Sequence, residues 1–219
     1  MKTIIISGRK QSGKSTLAET LSRNLDFSCR FNFADGLKEM CVMFGIDPFK
    51  LYGSNDDKNT QTHIQWNSLP FDTPQLQRIF SELRPNIVFN SDDYITIREF
   101  LVIFGTYICR HIENNCWVNN TINRINTEEN ERYILGTQID YVIIDDARFP
   151  NEIDRLLGPD TYLIRLLRNP YNDDNKVEKA LDNYDWSKIN PNNLLILDNS
   201  NMSIEDKDNF VLRWLNERK

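Results

Sequence analysis

Histidine is scarce in this sequence, and its cysteines do not have the spacing of a metal site. Among 219 residues there are two histidines and four cysteines, and no Cys-x-x-Cys pair occurs. Structural zinc sites are built from closely spaced pairs of these residues. We therefore expect no structural zinc, and we expect the cysteines to be buried, reduced thiols.

Long apolar runs are also missing. No run approaches the roughly 20 residues of a membrane-spanning helix, and the apolar run in MKTIIISGRK is too short for a secretory signal. The net charge of −6 disfavours broad binding to nucleic acid or acidic membranes, although a local basic patch remains compatible with it. We expect a cytoplasmic protein, in the host cytoplasm if it is viral, with neither nucleic acid nor membrane as partner.

Short apolar runs alternate with helical patterns along most of the chain. Hydrophobic residues make up 40% of it, enough for a core. Strands are predicted at residues 4–6, 30–33 (RFNF), 142–144, 162–164 and 194–197, with helices between them and a closing helix from residue 204. Such alternation predicts a single α/β domain over residues 1–219, with a parallel sheet covered by helices on both faces.

Two polar segments interrupt this alternation. Residues 54–93 are rich in turn formers except for TPQLQRIFSEL, which has one apolar helical stripe, and we interpret them as a variable insertion. Residues 168–191 are rich in asparagine and end in a proline. They are predicted to be either a lid or a long surface loop.

The clearest motif is GRKQSGKS at residues 8–15, which satisfies GxxxxGK[ST] between a predicted strand and a predicted helix. Loops of this kind turn successive backbone N–H groups into one concavity at a helix N-terminus, where phosphate binds. Lys14 would contact the outer phosphates, Ser15 would bind Mg²⁺ and Thr16 an inner phosphate. We predict binding of ATP or GTP by this segment, with contributing residues Gly8, Lys10, Ser12, Gly13, Lys14, Ser15 and Thr16.

Several activities are compatible with a phosphate-binding loop. A motor or recombinase ATPase would use Asp145 or Asp146, at the end of a strand, to position water. A switch GTPase commonly needs Asn-Lys-x-Asp, which does not occur. A small-molecule kinase needs arginines for a second phosphate and a lid that excludes water. A nucleotide-binding protein without turnover is a further alternative.

The segment TIREFLVIFGTYICRHI, residues 96–112, has apolar residues at helical spacing. Arg98, Val102, Gly105 and Thr106 are expected to share another side of this helix. A glycine inside a helix costs about 1 kcal/mol relative to alanine. We therefore expect either a ligand or a second helix to pass close to Gly105.

Five motifs, in chain order, resemble the deoxynucleoside monophosphate kinases of phages: GRKQSGKST, FADGLKE, TIREFLVIFGT, CWVNN and DARFPNE. The resemblance covers most of the chain and is weakest over residues 54–93. It implies a P-loop NTPase fold, ATP and Mg²⁺ as cofactors, and phosphorylation of deoxynucleoside monophosphates for DNA precursor synthesis. Dephospho-CoA kinases share much of this architecture. Relatives are often homodimers, and the apolar face of residues 96–112 suits either such an interface or the core.

The resemblance also implies an acceptor site. Arg98 and Arg148 would bind the acceptor phosphate, Trp117 would contact the base, and Glu152 would orient Arg148 or contact the nucleotide. Asp35 would contact the sugar or accept the proton, unless it is an ordinary N-cap. Other implied residues are Lys38, Gly105 and Thr106 in the acceptor site, Asp146 beside the acceptor and the metal, and Arg168 on the ATP phosphates. Val102 replaces a Gln of many relatives, so the accepted base stays open.

Overall fold

The computed structural model describes residues 1–170 and 179–218. The chain divides into two compact units. The first, which we call the sheet unit, contains residues 1–34 and the residues from 118 onward. The second, the 35–117 unit, includes all residues of the predicted insertion at 54–93.

Strands and helices alternate along much of the chain. The strands are β1 (Lys2–Gly8), β2 (Ser28–Phe31), β3 (Gln61–Gln65), β4 (Tyr94–Thr96), β5 (Tyr141–Ala147), β6 (Thr161–Leu166) and β7 (Leu194–Leu197). The α-helices are α1 (Lys14–Asn24), α2 (Ala34–Met43), α3 (Pro48–Leu51), α4 (Asn55–Lys58), α5 (Thr73–Leu83), α6 (Ile97–Val102), α7 (Arg110–Ile112), α8 (Cys116–Ile134), α9 (Pro150–Asp154) and α10 (Ile204–Asn216). A π-helix, Ile103–Cys109, joins α6 to α7.

The sheet unit is built on five parallel strands in the order β2-β5-β1-β6-β7. In the central strand, Ile4 pairs with Ile143 of β5 and with Tyr162 of β6. Because all strands run the same way, their carboxyl ends meet at one edge, where open α/β sheets bind ligands. The loop at residues 8–15 begins at this edge.

Both faces of the sheet are buried. On one face Ile4 and Ile6 belong to a core with Leu17 of α1 and Val211 of α10. Side chains alternate along a strand, so Ile5 points to the other face, and it is also fully buried. The predicted α/β architecture with a parallel sheet covered on both sides is confirmed, whereas assignment to the P-loop NTPases stays a prediction.

Two details of the sheet unit differ from the sequence predictions. The second strand is Ser28–Phe31 rather than residues 30–33. It stops there because the backbone N–H groups of Phe33 and Ala34 donate to the side-chain oxygens of Asp146 and not to a backbone carbonyl of the neighbouring strand. Helix α8, of 19 residues, has no predicted counterpart, since its sequence is mostly polar.

The predicted helix at residues 96–112 is not a regular α-helix. Its middle is the π-helix, in which the Arg110 N–H donates to the Gly105 carbonyl five residues earlier. That carbonyl also accepts the indole N–H of Trp117 at 3.0 Å. The α-helical spacing by which Arg98, Val102, Gly105 and Thr106 are expected to share one side therefore holds only as far as Val102, because i→i+5 bonding widens the turn beyond it.

Packing explains Gly105 within the 35–117 unit. A Cβ atom at this position would lie 2.7 Å from Cδ2 of Leu37, a residue of α2. The close approach of a second helix, one of the two expected alternatives, is thus observed. The predicted helix at TPQLQRIFSEL is confirmed as α5, and its Phe80 packs edge-to-face on Trp66.

The four cysteines, Cys29, Cys41, Cys109 and Cys116, are free thiols. Only Cys41 is buried, so the expected burial is confirmed for this residue alone. Burial raises the pKa of the Cys41 thiol to about 12. Within the described ranges, no helix has the length and apolar character to cross a membrane.

Candidate functional site

The 8–15 loop requires both of its glycines. Gly13 is the N-cap of α1 and has a left-handed backbone, with φ at 95°. A Cβ atom on Gly13 would lie 2.9 Å from Nζ of Lys207, and one on Gly8 would lie 2.8 Å from the Leu166 carbonyl oxygen. Side chains at these two positions would collide with their neighbours, so the sequence motif and the observed backbone agree.

Lys14 is folded back over this loop. Its side chain is 8% exposed, and Nζ donates to the carbonyl oxygens of Gly8 and Arg9, each at 2.7 Å. The hydroxyl of Ser12 is buried and has no hydrogen-bond partner among the described residues. The loop thus combines a fixed positive charge with a donor that is available to a ligand.

Two side chains, one before α10 and one within it, hydrogen-bond to carbonyl groups of the loop. The amide nitrogen of Asn199 donates to the Ser12 carbonyl at 2.8 Å, and Nζ of Lys207 donates to the Gly13 carbonyl at 3.0 Å. Lys207 is 3% exposed and lies 3.1 Å from Oδ1 of Asp208. These bonds give side-chain donors to two consecutive carbonyl groups of the loop, of which that of Gly13 also accepts the Leu17 N–H at 3.1 Å.

A cavity of about 390 Å³ lies against the loop. This volume suits a small-molecule ligand. It is lined by six residues predicted to bind ATP, namely Ser12, Gly13, Lys14, Ser15, Thr16 and Arg168. The other lining residues are Gln11 of the loop and, from the chain before and within α10, Asn199, Met202, Ser203, Ile204 and Lys207. Most of the residues predicted to bind ATP therefore meet at one cavity.

Two of the predicted ATP-binding residues do not line this cavity within the part of the chain that the structure describes. They are Gly8 and Lys10. Gly8 contributes through its carbonyl, which accepts the bond from Lys14. Its contribution to the site is therefore to the shape of the loop.

The described part of the predicted lid is packed onto the sheet unit. Leu181 is buried, and the Tyr184 hydroxyl donates to Asp154 at 2.7 Å. Asp182 pairs with Arg9 of the 8–15 loop at 2.5 Å and lies 3.5 Å from Arg165. Residues 171–178 of the predicted lid lie outside the described residues.

Asp146 of β5 binds the backbone that follows β2. Its two carboxylate oxygens accept the N–H groups of Phe33 and Ala34, each at 2.9 Å. Burial and then the nearby charge of Glu152 raise the pKa of Asp146 to about 7, while the two N–H bonds oppose this rise. The carboxyl group predicted to lie beside the metal thus also fixes the local backbone.

The neighbouring Asp145 has a different environment. It is 3% exposed and forms a two-pronged ion pair with Arg30, whose Nε and Nη2 lie 3.2 and 2.8 Å from its oxygens. This pair links β2 to β5, so Asp145 has a structural partner. The sequence gives no sign of the pair, because strand order brings residues 115 positions apart together.

Glu152 fixes the backbone at Arg148. The Glu152 side chain is 2% exposed, and its Oε2 accepts the N–H groups of Arg148 at 2.6 Å and Phe149 at 3.0 Å. These bonds cap the N-terminus of α9 and set the position from which the Arg148 side chain leaves the chain. The prediction that Glu152 orients Arg148 is compatible with this geometry.

The predicted acceptor residues of the 35–117 unit are held by local contacts. Arg98 donates to the side-chain oxygens of Asn59 and Asn55, each at 2.9 Å. Trp117 is buried, and Nζ of Lys38 lies 4.9 Å from the centre of the Tyr52 ring. Helix α2 begins at Ala34, so Asp35 lies in its first turn and the alternative that it is an N-cap is wrong.

A magnesium ion would have few protein ligands. Among the described residues, no group of three or more His, Cys, Asp or Glu side chains is arranged to bind a metal. The Ser15 hydroxyl is exposed at the cavity, as expected for a residue that binds magnesium together with nucleotide phosphates and water.

No family model matches the sequence, and no curated protein matches it significantly.

We predict that Asn199→Ala weakens the affinity for ATP by about tenfold, because the Ser12 carbonyl loses its donor and the loop its shape. Asn193→Ala is the matched control, since Asn193 donates its amide to the Pro159 carbonyl at 2.9 Å, away from the loop. Both variants should lower the free energy of unfolding by about 1–3 kcal/mol. Equal ATP affinities of the two variants in calorimetric titrations would contradict the prediction.

The raised pKa of Asp146 predicts a pH-dependent stability in magnesium-free buffer. The folded protein keeps this proton where the unfolded chain releases it, so the free energy of unfolding should fall as pH rises from 3.8 to about 7. Urea denaturation across this range measures the slope, which Asp146→Asn should reduce. The carboxyl carbon signal of Asp146 should titrate near pH 7, and a midpoint at the ordinary aspartate value would refute the assignment.

Proposed function

We propose that the protein transfers the terminal phosphoryl group of ATP to a deoxynucleoside monophosphate. The observation that best supports this proposal is the cavity at the end of β1, where Lys14, Ser15, Thr16 and Arg168 meet. Phosphoryl transfer needs positioned positive charge and N–H donors more than covalent chemistry. The residues at this cavity are of that kind.

The donor end of the reaction is assigned to the 8–15 loop. Backbone N–H groups would bind the phosphates of ATP, and Lys14 would exchange its bonds to the Gly8 and Arg9 carbonyls for phosphate oxygens. Arg168 would stabilise the negative charge of the group in transfer. Magnesium, when bound with the nucleotide, would neutralise part of the phosphate charge, with the Ser15 hydroxyl as its protein ligand.

The acceptor assignment rests on the resemblance to phage deoxynucleoside monophosphate kinases and on the geometry at β5. Arg148 follows the strand end directly, and Glu152 holds its backbone N–H. A planar guanidinium matches the oxygens of a phosphate group, so Arg148 is suited to bind the acceptor phosphate. No covalent enzyme intermediate is required.

The activity can be tested by measuring ADP release with each deoxy- and ribonucleoside monophosphate, with dephospho-CoA, and with DNA. We expect at least one deoxynucleoside monophosphate to be phosphorylated, and Lys14→Ala to abolish the reaction because a phosphate-binding charge is lost. Lys2→Ala removes a lysine at the start of β1, the end of the strand away from the loop; it is the control and should leave the rate unchanged. ADP release that rises with DNA, without phosphorylation of any monophosphate, would favour an ATPase and refute the proposal.

Arg148→Ala should raise the KM for the monophosphate by about ten- to a hundredfold, because charge-assisted hydrogen bonds to the acceptor are lost. The KM for ATP should change little. Arg155→Ala removes an exposed arginine at the end of the same short helix and provides the matched control. If Arg148→Ala left the monophosphate KM at the value of Arg155→Ala, the acceptor assignment would be wrong.

A further inference from the structure

Three positively charged side chains surround residues 52–59 in the 35–117 unit. Arg98 donates to Asn59 and Asn55, and Nζ of Lys58 donates to the Gly53 carbonyl at 2.9 Å. Nζ of Lys38 lies 4.9 Å above the Tyr52 ring. Since each of these contacts is made to the same short stretch of chain, Lys38, Lys58 and Arg98 form one group, which we call the cation cluster.

Among the residues that the structure describes, no carboxylate forms an ion pair with the cation cluster, although the charge of Asp57 acts on Lys58 from a greater distance. Other arginines of the protein pair with acids, as Arg84 does with Glu99 at 2.5 Å. The acid next to Lys58 is Asp57, whose carboxylate accepts the N–H and the hydroxyl of Ser54 at 2.7 and 2.6 Å. Asp57 therefore caps a short helix and forms no ion pair with the cluster.

The three charges are close enough to influence one another. Burial, followed by the positive charges of Lys38 and Arg98, lowers the pKa of Lys58. Like charges that are gathered and partly buried are unfavourable unless an anion joins them. Such a concentration of positive charge is unexpected in a chain whose net charge is −6.

The contacts of Arg98 indicate what kind of ligand fits. Asn55 and Asn59 accept its Nη2 and Nε hydrogens through neutral amide oxygens. These bonds fix the guanidinium without cancelling its charge. A guanidinium held in this way, with two ammonium groups near it, complements a compact anion that has several oxygens, such as a phosphate monoester.

We propose that Lys58 binds the phosphate group of the monophosphate acceptor, together with Arg98 and Lys38, which the resemblance to phage kinases already implies for the acceptor site. The inference rests on the proposed function, which supplies the acceptor. Asn55, Lys58 and Asn59 all come from the predicted insertion, where the resemblance to known kinases is weakest. The insertion then contributes directly to substrate recognition through Lys58, and through the two asparagines it positions Arg98.

Calorimetric titration of the full chain without ATP tests this proposal. The ligands are the four deoxynucleoside monophosphates, the four corresponding deoxynucleosides and inorganic phosphate. Lys58→Met should weaken the best-bound monophosphate by about tenfold or more, because a charge-assisted contact is lost, and should not change the affinity for its deoxynucleoside. Lys58→Arg should retain most of the affinity. Lys50→Met, an exposed lysine of α3 with the same change of charge, should bind like the wild type.

The other possible results distinguish a phosphate site at Lys58 from long-range electrostatics and from nucleic-acid binding. If Lys58→Met and Lys50→Met weakened monophosphate binding equally, the effect would be long-range electrostatics alone and the site would be wrong. Unchanged monophosphate binding in both Lys58→Met and Arg98→Met would also overturn the site. Loss of binding to a single-stranded oligonucleotide, with monophosphate binding unchanged, would assign the cluster to nucleic acid instead. If the wild type binds a monophosphate through Lys58 but transfers no phosphoryl group, the site stands and the proposed function fails.

Discussion

The 8–15 loop depends on donors for its own carbonyl groups. When peptide N–H groups turn toward an anion, the attached carbonyl oxygens turn toward the protein, and a buried carbonyl without a partner costs about 1–3 kcal/mol. Here Asn199 donates to the Ser12 carbonyl, and Lys207 adds a second donor to the Gly13 carbonyl, which also accepts the Leu17 N–H. The parallel order β1-β6-β7 makes this possible, because it brings the chain after β7 next to the end of β1.

Three carboxylates near the end of β5 have separate structural roles. Asp145 pairs with Arg30, Asp146 accepts the N–H groups where β2 ends, and Glu152 caps α9. Each role fixes a different part of the backbone at the carboxyl edge of the sheet. The acids that sequence motifs single out for chemistry are thus also responsible for the local shape, and burial raises the pKa of Asp146 to about 7.

The sequence predicts the central fold and the loop well for different physical reasons. The strands β1, β5 and β6 are buried on both faces, so their apolar residues form continuous runs, and the loop needs glycines at two fixed positions. The contacts of Asn199 and Lys207 are not predictable in this way. They join residues 187 and 194 positions apart, and an asparagine or a lysine has no local pattern that reveals a distant carbonyl. The contacts of Asn55 and Asn59 are equally unpredictable. Both residues lie in a segment of ordinary turn composition, and nothing local shows that they accept hydrogen bonds from Arg98.

The π-helix at Ile103–Cys109 affects how this segment can be aligned with other sequences. A wider turn amounts to one additional residue relative to an α-helix, and each residue of an α-helix rotates the following side chains by about 100°. Deleting one residue there would restore a regular helix and leave Arg110 and its successors facing their present neighbours, because the wider turn absorbs the rotation that the extra residue would otherwise cause. A sequence that forms a regular helix here therefore aligns with this chain without a gap before the π-helix. After the π-helix, the same alignment is shifted by one residue.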